Sequence, residues 1–140
     1  MPATRVRLLP EALKPLANKF YGAHRSKMKA THEDQVWVVE HTQIIAALCL
    51  RPVASGHWLT SLFVAPEHRL QGHARELIKA VTSSCNSTVW LFCHPSLSEF
   101  YQASGFSPEV QLPEQLSQRL ARYQRSKSLI ALAAQTSQAL

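Results

Sequence analysis

The chain has 140 residues, 46% of them hydrophobic and 17% charged, which suits one globular domain over residues 1–140 and is too short for two independent cores. That apolar content excludes disorder as the main state, and the longest apolar run, Ile44 to Leu50, falls far short of the ~20 residues that span a bilayer. The net charge of +6 is concentrated: residues 5–29 and 114–127 hold eleven of the fifteen Lys and Arg, a field suited to nucleic acid, an acidic substrate or a phosphorylated cofactor, and equally to two solvated helix faces.

Met1 to Pro10 has no apolar h-region, so no secretory signal is expected. The cysteines, Cys49, Cys85 and Cys93, are odd in number, form no CxxC pair and sit in or beside apolar runs. They read as free thiols of a cytoplasmic protein. Among the histidines, His68/His73 and His68/His57 lack the i, i+4 spacing of a helical metal pair, so no metal site is expected.

Arg5 to Leu9 alternates basic and apolar residues and predicts a short strand. Leu13, Leu16, Ala17 and Phe20 recur at helical spacing over Glu11 to Tyr21, with Pro15 in the first turn. Tyr21 to Asp34 is polar and basic and reads as a loop or a broken second helix. Gln35 to His41, Ile44 to Val53 and His57 to Val64 then predict three strands with short connections, the last two joined by a turn at Ser55-Gly56, forming an antiparallel meander. Pro66 ends the third. Arg69 to Val81 predicts a helix with Leu70, Ala74, Leu77, Ile78 and Val81 on one face. Thr88 to Cys93 reads as a buried strand, parallel to the strand before that helix in a βαβ unit.

Ser96-x-x-Glu99 has the pattern of a capping box opening a helix with Leu97, Phe100 and Tyr101, ended by Gly105. Pro113 can start a further helix bearing Leu116, Leu120 and Tyr123, and Ser128 to Ala134 is taken as a last strand in preference to a helical extension. The last six or so residues should fray. The fold class is therefore α+β in three layers: a mixed, mostly antiparallel central sheet with helices on both faces.

The segment Leu62-Phe63-Val64-Ala65-Pro66-Glu67-His68-Arg69-Leu70-Gln71-Gly72-His73-Ala74 carries the chemistry. A strand runs through a proline turn into an Arg-x-x-Gly-x-Ala helix start, where unpaired N–H groups and the dipole make an anion site. Read blandly, Arg69 is a surface arginine and Gly72 a helix-start glycine. The residues LFVAPEHRLQGHARELI (62–78) and FYQASGF (100–106), separated by a buried strand, resemble two motifs of the GCN5-related N-acetyltransferase (GNAT) superfamily.

That resemblance implies an acyl-CoA N-acyltransferase-like fold with acetyl-CoA as cosubstrate. It implies that the amides of Leu70, Gln71, Gly72, His73 and Ala74 bind the pyrophosphate, with Arg69 at the mouth, while Leu62, Phe63 and Val64 pair with the pantetheine arm. Tyr101 matches the tyrosine that protonates the departing thiolate, and the acetyl group passes directly to an amine acceptor. Homodimers through the C-terminal segment are common for such a fold.

Two departures stand out. His94 holds the place where the family often has a pantetheine-contacting Asn, and the strand before the loop, His57-Trp58-Leu59-Thr60-Ser61, lacks the carboxylate base of many members. His57 and His94 are the candidate bases because imidazole titrates near neutral pH; Glu40, His41 or a water chain come next. Tyr101 has a second reading as a core aromatic, and Trp37, Trp58 and Trp90 read as core or pocket wall. The segment from Asn18 to Ser26 resembles, by position, the region over the family's acceptor site. The missing carboxylate keeps open a non-catalytic acyl-CoA-binding regulatory module of the same fold. Nucleic acid is the weakest partner, since no RRM, zinc-finger or basic-zipper pattern is present. The basic segments favour an acceptor of acidic character.

Overall fold

Apolar residues alternate along the strands so that each face of the sheet collects its own set, and helices cover both. The computed structural model describes residues 4–108 and 111–135. Seven strands lie in the order β1-β2-β3-β4-β5-β7-β6: β1 Arg5–Leu8, β2 Gln35–Glu40, β3 Ile44–Val53, β4 Gly56–Val64, β5 Val89–Cys93, β6 Ser107–Pro108 and β7 Ile130–Ala134. Among the described residues, β4 and β5 pair in parallel and all other neighbours are antiparallel.

Helices α1 (Lys14–Ala23) and α4 (Glu114–Tyr123) cover one face, where Phe20 and Tyr21 pack with Val36, Val38 and Cys49, and Leu116 packs with Trp58 and Trp90. On the opposite face α2 (His73–Ser84) and α3 (Ser98–Gln102) bury Leu77, Ile78, Val81 and Tyr101 against Leu48, Leu50, Leu59 and Leu91. Truncating a fully buried leucine such as Leu77 to alanine in such a core costs ~2–5 kcal/mol. All three cysteines are buried free thiols, and among the described residues no helix is long and apolar enough to cross a membrane.

The predicted strands, the parallel β4/β5 pair and the final strand are all present, and four local expectations are corrected. The helix expected from Arg69 starts at His73, because Gly72 is left-handed at φ +86°; Leu70, expected on the buried face, is left-handed at φ +64° and fully exposed. The capping box does not form. A 3-10 turn at Pro95–Leu97 intervenes and α3 begins at Ser98, while the His94 side chain, not Ser96, accepts the turn's first N–H. The turn after β3 lies at Ala54–Ser55, so Gly56 already belongs to β4. The short strand β6 was not anticipated, since two residues carry no periodicity. Between Ala23 and β2 the chain is loop rather than a second helix. Fraying of the last residues, beyond Gln135, lies outside the described residues.

Candidate active site

The chain leaves β4 at Val64 and enters a 3-10 turn at Pro66–His68, because proline cannot continue the ladder. Gly72 then caps α2 in a conformation that L side chains adopt only with strain. No side chain caps this helix, and the bond from the Glu76 N–H to the Gly72 carbonyl at 3.0 Å opens it. The N–H groups of His73, Ala74 and Arg75 therefore have no partner among the described residues. They stand at the positive end of the helix dipole, an arrangement that binds phosphate. A Cβ on Gly72 would meet nothing within 4 Å, so the position demands glycine for its conformation, and the space before it is open.

The end of β4 has a free edge. β4 and β5 pair only from His57/Val89 to Leu59/Leu91 and then part. Against β3, one extra residue is inserted on β4: Ala47 faces Phe63, but Cys49 faces Thr60. The bulge includes Ser61 at φ +57°, and the buried Tyr21 of α1 donates its hydroxyl to the Ser61 carbonyl at 2.7 Å. Past the bulge, the Ala65 N–H bonds the Ile45 carbonyl at 2.8 Å. Strand alternation then turns the Phe63 amide towards β3 and the Val64 amide to the free edge. Arg69 lies along that edge, its Nε donating to the Val64 carbonyl at 2.9 Å and its guanidinium 5.3 Å from the Phe63 ring centroid.

Edge and helix start together wall a cleft of about 840 Å³ on the α2/α3 face, within the usual size range of small-molecule sites. Leu62, Phe63, Val64, Arg69, Leu70, Gly72, His73 and Ala74 line it, and so does Tyr101. Gln71 does not; its side chain bonds His73 Nε2 at 3.1 Å. Four lining residues escaped the sequence reading: His68, Arg75, Leu97 and Phe100. Arg75, the third residue of α2 and 6.0 Å from the Phe100 centroid, directly follows the Arg-x-x-Gly-x-Ala pattern and could have been found by extending it by one residue. Burial, with a smaller contribution from the neighbouring Cys93 thiol, pushes the Tyr101 phenol up to about 12. Its hydroxyl makes no side-chain hydrogen bond among the described residues and stands in the cleft as a protonated donor.

The candidate bases stand elsewhere. His57 is five residues before Leu62 on β4, roughly 16 Å at the strand rise, and does not line the cleft. Burial lowers its pKa, and its Nδ1 is buried without a partner among the described residues. His94 follows β5, but its Nδ1 accepts the Ser96 N–H at 3.1 Å. That bond commits the neutral ring's basic lone pair and leaves Nε2 as a donor. Glu40 is held by Arg7 at 2.8 Å and Arg5 at 3.2 Å. Burial opposes ionisation there, but the two arginines outweigh it and keep the carboxyl below its ordinary range. His41 is an exposed turn residue.

A second cleft, of about 520 Å³, opens at the same parting of β4 and β5 on the α1/α4 face, lined by Trp58, Thr60, Ser61, Phe92 and Tyr123 with Lys27, Arg51, Arg119 and Lys127. Among the described residues, no carboxylate lines either cleft. The segment Asn18 to Ser26 contributes no lining residue to it; Lys27, just beyond, does.

Comparison with known proteins bears on this geometry. No curated protein sequence matches the chain. Among solved structures, it is similar to an acetyltransferase of the GNAT family from Staphylococcus aureus (14% identity, 96% of this chain and 100% of that one, TM-score 0.67). It is also similar to Tetrahymena GCN5 (11% identity, 99% and 98%, TM-score 0.69). A third is N-acetylglutamate synthase from Neisseria gonorrhoeae complexed with coenzyme A and N-acetyl-glutamate (13% identity, 99% of this chain and 36% of that one, TM-score 0.68). At these identities the likeness is one of fold. The family model for the acetyltransferase (GNAT) domain matches residues 32–108, a span that runs from the loop before β2 through the split strands and α2 to β6. The chain belongs to the GNAT family of acetyltransferases.

Proposed function

We propose that the protein transfers an acetyl group from acetyl-CoA directly to an amine. The observation that carries this reading is the open edge of β4, which leads from the unpaired amides at the start of α2 to the parting of the sheet, with Tyr101 in the same cleft. The residues present fit a long, polyanionic thioester. The amides of His73, Ala74 and Arg75 and the Arg75 guanidinium face a pyrophosphate. The Val64 amide is free to pair with an extended amide arm, and Phe63, Leu97 and Phe100 offer it apolar wall.

The thioester supplies an activated acyl group, and the chain supplies position and proton control. An N–H on the free edge of β4 donates to the thioester carbonyl oxygen and stabilises the charge that develops there. The amine nitrogen attacks the carbonyl carbon, the C–N bond forms and the C–S bond breaks. The Tyr101 hydroxyl donates its proton to the departing sulfur. A phenol near 12 remains protonated at neutral pH, and the same burial makes the thiolate more basic. With no carboxylate among the described residues lining either cleft, the proton of the amine leaves through water, and water returns a proton to Tyr101. Acetyl-CoA and three reduced thiols suit a reducing cytosol.

The absent carboxylate favours a second reading, a regulatory module that binds acyl-CoA without turnover. Release of the CoA thiol across an amine panel separates the two. Amine-dependent thiol release with an acetylated product supports the transferase. Saturable acetyl-CoA binding with no amine-dependent release supports the module.

A further inference from the structure

The second cleft has a chemical character the first lacks. Of its four cations, Arg51 is neutralised inside the protein: Nε lies 3.0 Å from the buried Asp34, and Glu33 is 3.9 Å away. Lys27, Arg119 and Lys127 have no carboxylate within 4.0 Å among the described residues. Two of these are held in place by aromatic walls. The Arg119 guanidinium sits 4.9 Å from the Trp58 ring and donates from Nη1 to the Tyr123 hydroxyl at 3.3 Å; Lys127 Nζ is 5.5 Å from the Tyr123 ring centroid. Ordered cations around a concave, partly aromatic wall form a preorganised site for an anion.

Resting on the transferase reading above, we propose that this cleft receives the acceptor and that the acceptor is an amine carrying a carboxylate, such as an amino acid or an acidic peptide end. The cleft meets the donor side at the bulge: Thr60 and Ser61 line it, and Leu62 to Val64 line the other. An amine entering from the α1/α4 face therefore reaches the thioester from the side opposite CoA. A carboxylate on that molecule pairs with Arg119, Lys127 and Lys27, whereas a second cation in its place meets like charge. The positive field also disfavours the ammonium form of the incoming amine and so favours the free base that attack needs, in a cleft without a carboxylate to take the proton.

The test is calorimetric titration of the CoA-saturated protein with the C-terminally amidated dipeptides Ala-Glu, Ala-Gln and Ala-Lys, which share one free α-amine and differ in charge only at the second side chain. Ala-Glu is expected to bind about tenfold more tightly than Ala-Lys, with Ala-Gln between, and the gap should close to about threefold or less in Arg119→Gln/Lys127→Gln. Lys27→Gln, on a separate loop, should narrow it independently. Equal or tighter binding of Ala-Lys, a preference that survives all three replacements, or no binding of any dipeptide at millimolar concentration overturns the proposal. An acetyl-CoA titration run in parallel separates the two failures: absent acetyl-CoA binding overturns the transferase reading, whereas intact acetyl-CoA binding with indifferent dipeptides overturns the acceptor class alone.

Discussion

The two clefts at the parted strands are built in different ways. The α2/α3 cleft is made mostly from one continuous stretch, Leu62 to Arg75, and it presents backbone amides from a strand edge and a helix start beside the side chains of Arg69, Arg75 and Tyr101. The α1/α4 cleft takes its polar groups from side chains at positions 27, 51, 119 and 127, brought together by the loop before β2, by β3, and by α4 and the turn after it. Backbone recognition suits a constant ligand, because it is indifferent to side-chain identity so long as the chain keeps its shape. Side-chain recognition can be retuned one residue at a time. Under the proposed function, the constant donor falls to the first cleft and the variable acceptor to the second.

The largest disturbance should come from the scaffold of the side-chain cleft. Asp34, 2% exposed, bonds Arg51 at 3.0 Å and the Thr31 N–H at 2.7 Å. Asp34→Ala strands that guanidinium and is expected to cost ~3 kcal/mol in chemical denaturation, with acetyl-CoA affinity unchanged in the protein that remains folded; an equal loss of that affinity would mean the clefts are not separable. Next, Tyr101→Phe should lower kcat ~10²-fold, about 2.7 kcal/mol, and leave acetyl-CoA binding intact. Unchanged turnover with chemistry rate-limiting removes Tyr101 from the mechanism.

Gly72→Ala, at φ +86°, should cost ~1–2 kcal/mol of stability and weaken acetyl-CoA binding by moving the amides, in the same titration. The smallest effect concerns His57. Its folded pKa lies below the ordinary 6.5, so the unfolded chain takes up the proton first. Its stabilising contribution is complete above 6.5 and fades as the pH falls through the folded value. His57→Gln should flatten that decline in denaturation midpoints measured from pH 7.5 to 5, and wild-type turnover should survive the change, since the ring lies away from the cleft.

The same contrast explains what could be read from the sequence. The meander, the βαβ unit and the Arg-x-x-Gly-x-Ala start were legible because periodicity and loop chemistry are local. The four cations of the second cleft were visible only as charge along the chain, since nothing in the spacing of Lys27, Arg51, Arg119 and Lys127 says that they meet. The bulge at Ser61 escaped for a related reason. It is a mismatch in register between β3 and β4, anchored by Tyr21 from forty residues away, and neither strand signals it alone. His94 and His57 were reasonable bases by chemistry. Their positions relative to the cleft depend on a cap bond to Ser96 and on distance along β4, which composition does not carry.

Under the proposed function, the backbone-built cleft holds acetyl-CoA. Thermal unfolding with acetyl-CoA, with free CoA and with ATP is the experiment to run first. A ligand at ~100 times its Kd stabilises the folded state by ~2.7 kcal/mol, which moves the midpoint by several degrees in a domain of this size. The predicted result is a shift of that size with acetyl-CoA and clearly less with ATP, reduced in Gly72→Ala and preserved in Arg119→Gln/Lys127→Gln. No shift at millimolar acetyl-CoA would contradict the account and leave the Gly72 turn as a helix start without a ligand.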